Sequence, residues 1–385
     1  MKFVKSKHVI LYSSALTVIL MALYSWLSVF MTSPENASYQ ELRNIQNQLQ
    51  NLEVPSNSVQ KILPPSHGMY FGAFANFEQT EDVVTAEKIR RFSTLVDKKL
   101  AWAYFSDNWF TGIKFPSETV ELLDDLGITP YIRMMPRTDF RIQPGDSPYT
   151  LQRIRDGEYD EELRAWARDA KRADVPLLLE FGTEVNGKWF PWNGKWNGDV
   201  SINLNGESEN TGTTLFIETY RHIIDLFEAE QVENVTWVYH VNAISSPNEN
   251  WNDLDKYYPG DDYIDWIGVS VYGAQSINDT WVDFDTIYSR AYKKITSFTE
   301  KPIAIVELGV AEGSSESLKV AWITNALQSL EQGKYPRTKA VSYWHSSWYD
   351  TGVEYSLRID SSTSAEQAFR DGINSSYFIS NTLIK

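Results

Sequence analysis

Eight short apolar runs recur along the chain, and amphipathic stretches separate most of them. They read MYFGAF (69–74), LAWAYF (100–105), ITPYIRM (128–134), VPLLLEF (175–181), NVTWVYH (234–240), DWIGVSV (265–271), PIAIVEL (302–308) and AVSYWH (340–345). Runs this short, without strict alternation, suit strands covered on both faces. The segments at 82–97, 117–126, 158–173, 213–230, 284–299 and 316–332 are helix-like. Strands alternating with helices imply a parallel sheet, and eight of them predict closure into a (β/α)8 TIM barrel. A doubly wound open sheet is the alternative, but the chain has neither G-x-G-x-x-G nor a P-loop.

A barrel places its chemistry at the C-terminal ends of the strands. The fourth run leads into Glu184 and the seventh ends on Glu307. The fifth leads to His240 and Asn242, the sixth to Tyr272, and the eighth to Trp344 and His345. Strands four and seven face each other across an eight-stranded barrel. Two carboxyls there suit glycoside cleavage, in which one protonates the leaving oxygen and the other attacks the sugar or activates water. A separation near 5 Å would imply retention of configuration. Glu307 follows four apolar residues, where an unpaired charge is unfavourable. Trp189, Trp344 and Trp109 are candidates for a sugar cleft, because flat rings suit the C–H faces of sugars.

Composition narrows the partners. A formal charge of −16 disfavours nucleic acid and polyanionic substrates, which need clustered Lys and Arg. The absence of Cys excludes disulfides, thiolate catalysis and cysteine-ligated metals. The five His show no metal-binding spacing, and no cofactor is implied.

The N-terminus is distinct. Lys2, Lys5 and Lys7 precede an uncharged run at 9–30. As a helix that run spans about 33 Å, enough for a bilayer core. The expected organisation is a transmembrane signal-anchor over 1–31, a stem over 32–66, and a barrel over 67–385 on the extracytoplasmic side. A cleaved signal peptide, and hence secretion, is the alternative.

The stretch TEVNGKWFPWNG (183–194) resembles the acid/base signature of glycoside hydrolase family 26, a retaining β-mannanase family. Residues 104–132, NVTWVYHVN (234–242), YYPGDDYIDWIGVSVYG (257–273) and KPIAIVELG (301–309) are similar to further strands of that family, in order. The resemblance implies Glu184 as acid/base, Glu307 as nucleophile, Tyr272 as a hydrogen-bond donor to Glu307, and Trp189 and Trp344 as subsite walls. His240, Asn242 and Trp109 are further candidates for substrate contact. The acid is expected to have a raised pKa and the nucleophile to stay ionised. The implied activity is endo-cleavage of a β-linked polysaccharide, by default β-1,4-mannan. A non-catalytic carbohydrate-binding barrel and a transglycosylase remain alternatives.

Two positions depart from the family pattern. Thr183 stands where His is common, and Glu180 where Arg is common. Glu180 shares the parity of Glu184, so it should point into the barrel. Arg133, on the neighbouring strand, is its expected partner.

Overall fold

All eight apolar runs become barrel strands in the computed structural model, which describes residues 60–385 apart from 140, 143–146, 204, 277 and 351. The strands are β1 (Met69–Ala75), β2 (Trp102–Asn108), β3 (Thr129–Met135), β4 (Leu177–Phe181), β5 (Val235–Asn242), β6 (Trp266–Tyr272), β7 (Ile303–Gly309) and β8 (Thr338–His345). They pair in parallel in chain order, and β8 pairs with β1 from Ala340↔Tyr70 to His345↔Ala75, which closes the barrel. The open-sheet alternative is thereby excluded. Phe378–Ile379 adds a short parallel pairing outside β1.

The longer helices are α1 (Ala86–Val96), α2 (Ser117–Asp125), α3 (Asp160–Ala173), α4 (Thr211–Ala229), α5 (Phe284–Ile295), α6 (Glu316–Glu331) and α7 (Thr363–Ile373), with short turns of helix at Leu151–Arg155 and Gly194–Asn197. Side chains at their N-termini set several starts: Thr85, Asn210, Asp283 and Ser362 each accept a backbone N–H of the first turn. Between β5 and β6 there is no α-helix, only the 3₁₀ turn Asn250–Asn252 within a loop. The sequence likewise offers no helical period there.

Aromatic side chains fill the barrel. The Trp102 indole lies across the interior and donates to Ser342 Oγ on β8 at 2.7 Å. Gly72 makes room for it, since a Cβ there would sit 2.0 Å from Trp102 Nε1. At the opposite end from the site, Ile62–Leu63 pairs antiparallel with Leu383–Ile384, and the Ile62 carbonyl accepts from Trp266 Nε1. The last residues of the expected stem therefore pack against the barrel.

Among the described residues no helix is long and apolar enough to cross a membrane. The expected anchor over 1–31 and most of the stem lie outside the described residues.

Candidate active site

The strand ends converge on an open cleft of about 420 Å³. Six of the eight sequence candidates line it: Glu184, Glu307, Trp189, Tyr272, Trp344 and Asn242.

Glu184 sits just beyond β4. Gly182, at φ +68°, turns the chain out of the strand, and a Cβ there would press on Phe216. Glu184 itself adopts φ +45°, an unfavourable conformation for a side chain of this kind and one that clusters at functional sites. Asn186 fixes the loop to β5: its Nδ2 donates to the Asn242 carbonyl, and its Oδ1 accepts the Asn242 N–H. The Glu184 carboxyl then receives Trp189 Nε1 at 2.7 Å on Oε2 and Asn242 Nδ2 at 2.8 Å on Oε1. Gly187 is required by close approach, since a Cβ would meet the Trp189 ring at 2.3 Å. Its φ is not positive, contrary to the usual reason for glycine in such a loop.

Glu307 emerges from β7 beside a register irregularity between Ile305 and Glu307 against β6, a device that re-aims side chains. Its Oε2 accepts Tyr272 Oη at 2.5 Å. Its Oε1 lies within hydrogen-bond range of Arg133 Nη1 at 3.1 Å and Tyr104 Oη at 3.0 Å. The expected Tyr272 contact is present, and two further donors join it.

The electrostatics differ from the simple expectation. Burial, and then the Glu184 charge, push the Glu307 carboxyl up to about 7, against the pull of Arg133, His240 and Tyr272. The Glu184 charge is thus one of the forces that keep a proton on Glu307.

Two candidates lie away from the cleft. His240 is 1% exposed: its Nδ1 is 2.9 Å from Glu180 Oε1 and 2.6 Å from Thr183 Oγ1, and its Nε2 is 2.8 Å from Ser270 Oγ. It is a buried support beneath Thr183 and does not line the cleft. Burial pulls its pKa down, but the Glu180 charge and hydrogen bond, with Glu307 and Glu184, outweigh that and hold it above the ordinary value. Trp109 is fully buried, edge-on to Tyr149. It packs between Tyr149 and Phe181 and does not line the cleft. His345 is also internal, accepting the Ile359 N–H on Nδ1 at 3.0 Å.

Glu180 does point into the barrel, but Arg133 is not its ion-pair partner. Glu180 accepts Tyr131 Oη at 2.7 Å and faces Tyr104 Oη and His240 Nδ1. Arg133 is level with Glu180 in the β3–β4 register, yet its longer side chain reaches the mouth. There it pairs with Glu307 and Glu81, donates to Ser106 Oγ, and lies over the Trp344 ring.

Glu81, Arg137 and Tyr104 were not among the sequence candidates. Glu81 and Arg137 line the cleft. Burial raises the Glu81 carboxyl, but Arg133 and Arg137, with Ser106, outweigh it and hold it below its usual range. The same rule that found Glu184, the polar residues just beyond a strand, would have found Arg137 beyond β3, whereas Glu81 lies farther along the loop after β1. Trp348 adds a ring to the wall, stacked on Tyr355 at 5.3 Å and 5°. Trp344 stacks on Phe74 at 3.9 Å.

Residues 152–348 match the family described as Glycosyl hydrolase family 26. Endoglucanase H of Acetivibrio thermocellus is 29% identical over 309 residues, covering 80% of this chain and 30% of that protein. A mannan endo-1,4-beta-mannosidase of Bacillus subtilis is 26% identical over 183 residues, covering 47% of this chain and 42% of that one. The chain thus spans less than half the length of these relatives. Among solved structures, Bacillus subtilis mannanase BCman superposes with a TM-score of 0.53 at 17% identity, over 83% of this chain and 88% of that chain. A Cellulomonas fimi endo-beta-1,4-mannanase double mutant gives 0.57 at 15% identity, over 81% and 72%. At these identities the structures support the fold alone.

Proposed function

The chain belongs to glycosyl hydrolase family 26, and from that premise we propose that it is a retaining glycosidase cutting within a β-linked polysaccharide. The observation that carries this reading is the pairing of Glu184 and Glu307 in one cleft, each held by its own set of donors.

In the first step Glu307 attacks the anomeric carbon while Glu184 gives its proton to the departing glycosidic oxygen. The C–O bond breaks and a covalent glycosyl-enzyme forms. In the second step Glu184, now ionised, takes a proton from water, which displaces Glu307 from the sugar. Tyr272, Arg133 and Tyr104 steady the negative charge on Glu307 before attack and on its departure. Trp189, Trp344 and Trp348 offer ring faces to the sugar chain.

Mannan is the substrate implied by the family resemblance. Glucan is a second reading, favoured by the relative named Endoglucanase H, which aligns over 80% of this chain against 47% for the mannosidase. Product release from β-mannan, β-glucan and xylan tests both. The reading requires hydrolysis by the wild type with retained anomeric configuration, abolished in Glu184→Ala and in Glu307→Ala. Binding without cleavage would favour the carbohydrate-binding barrel, and longer products would favour a transglycosylase.

The proposed location is extracytoplasmic and membrane-held, supported by the lysines and uncharged run at 2–30. Recovery of a shortened, freely secreted protein after cell fractionation would refute it.

A further inference from the structure

Beneath the cleft, one hydroxyl lies between two carboxylates. Tyr104 Oη is 2.8 Å from Glu180 Oε1 and 3.0 Å from Glu307 Oε1. A phenol has a single proton to donate. Directed at Glu180, that proton leaves the oxygen lone pairs facing Glu307, which opposes ionisation of Glu307. Directed at Glu307, it stabilises the Glu307 anion. The orientation of one O–H therefore affects how readily Glu307 ionises. Burial, and then the two carboxylate charges, push the Tyr104 phenol well above its ordinary range, so it remains a donor.

The surroundings of Glu180 favour one direction. Glu180 is 0% exposed, and its Oε2 already accepts from Tyr131. Its Oε1 faces His240 Nδ1 at 2.9 Å. A lone pair on Nδ1 would point at the carboxylate, so this nitrogen carries the hydrogen, which Glu180 Oε1 shares with Thr183 Oγ1 at 2.6 Å. With a hydrogen on Nε2 as well, donated to Ser270 Oγ, the ring is an imidazolium and neutralises the buried charge. Tyr131 and His240 then satisfy both Glu180 oxygens without Tyr104.

We propose that the buried Glu180–His240 pair is a positioning element that releases the Tyr104 hydroxyl to donate to Glu307. Tyr104 thereby joins Arg133 and Tyr272 in holding Glu307 ionised. The proposal rests on the reading of Glu307 as the nucleophile. The groups facing Glu307 are Tyr104 from β2, Arg133 from β3, Glu184 beyond β4, His240 from β5 and Tyr272 from β6. Arg133 is shared with Glu81 beyond β1. Among these donors Tyr104 has one proton for two carboxylates, which makes its direction a choice that the protein must set.

The full chain is tested in two ways that require no substrate. Neutron diffraction from deuterated wild-type crystals at pH 8 locates the hydrogens directly. The expected result is a deuteron on Tyr104 directed at Glu307 and deuterons on both His240 nitrogens. A Tyr104 deuteron directed at Glu180, or a neutral His240, overturns the proposal. Infrared titration of the Glu307 carboxyl, isolated by subtracting Glu307→Gln, gives the second readout. Tyr104→Phe is expected to raise the Glu307 titration midpoint by about one pH unit. His240→Gln should raise it too, and the double variant should shift it by less than the sum, since no hydroxyl is left to redirect. No shift in Tyr104→Phe, or full additivity, overturns the proposal. If these results hold while the wild type hydrolyses no polysaccharide, the proposed function fails and the proton arrangement stands.

Discussion

Glu81 and Glu307 share the guanidinium of Arg133: Nη2 pairs with Glu81 and Nη1 donates to Glu307. Arg133 is 2% exposed, so its charge is divided between these two carboxylates with little help from water. Removing the Glu81 charge should commit Arg133 more fully to Glu307. A more tightly paired Glu307 ionises at lower pH and attacks less readily. Glu81→Gln is therefore expected to move the acidic limb of the kcat/KM profile to lower pH and to reduce kcat about tenfold, equivalent to about 1.4 kcal/mol. A pH–rate profile checks both effects, and an unmoved acidic limb would show that Arg133 does not transmit the change.

The raised pKa of Glu307 has a consequence for stability. Its value is about 7 in the folded protein and 4.5 as the reference for an unfolded chain. The folded state thus holds the proton more tightly between those values. The stability this contributes is fully present below pH 4.5 and is lost as pH rises through 7. Glu307→Gln, which cannot ionise, should escape that loss. The variant is expected to be the more stable of the two above pH 7, by about 3 kcal/mol in unfolding free energy, and to lose its advantage below the unfolded value. Thermal unfolding of both proteins across pH measures the difference. A constant difference at every pH would argue that packing, and not charge, separates them.

The barrel was legible because each strand is a buried apolar run, and the cleft because barrel strands end at it. Glu184, Glu307 and Tyr272 could be placed by that rule alone. Partners were harder to read. Register set Arg133 beside Glu180 correctly, but side-chain length decided the contact: the guanidinium rises to the mouth, while Glu180 stays a layer below with Tyr131 and His240. His240 occupies a strand end, like Asn242, yet it turns into the barrel where Thr183 and Ser270 accommodate it. Such choices depend on the shape of several neighbouring strands, which a linear pattern does not carry.

Trp189 has two separable features. Its ring is 46% exposed at the cleft, and its indole N–H donates to Glu184. Trp189→Phe keeps a ring and removes the donor, whereas Trp189→Ala removes both. If the hydrogen bond orients the acid, Trp189→Phe should lower kcat by about tenfold with little change in KM. Trp189→Ala should additionally raise KM as sugar contact is lost. Steady-state kinetics on one polysaccharide compares them, and equal KM values for the two variants would remove the stacking role.

Glu184 as proton donor makes a prediction that depends on the leaving group. A sugar alcohol departs poorly without a proton, whereas a nitrophenol needs none. Glu184→Ala should therefore lose about a thousandfold in kcat/KM on polysaccharide but far less on an activated aryl β-glycoside. The second step also needs Glu184, as base, so the glycosyl-enzyme should accumulate and give a burst of phenol followed by slow turnover. Glu307→Ala should lose both substrates, because no covalent intermediate can form. Rapid-mixing kinetics on the aryl glycoside, with mass spectrometry of the intact protein, reads out both outcomes. Equal losses on the two substrate types in Glu184→Ala would assign the proton transfer to another group.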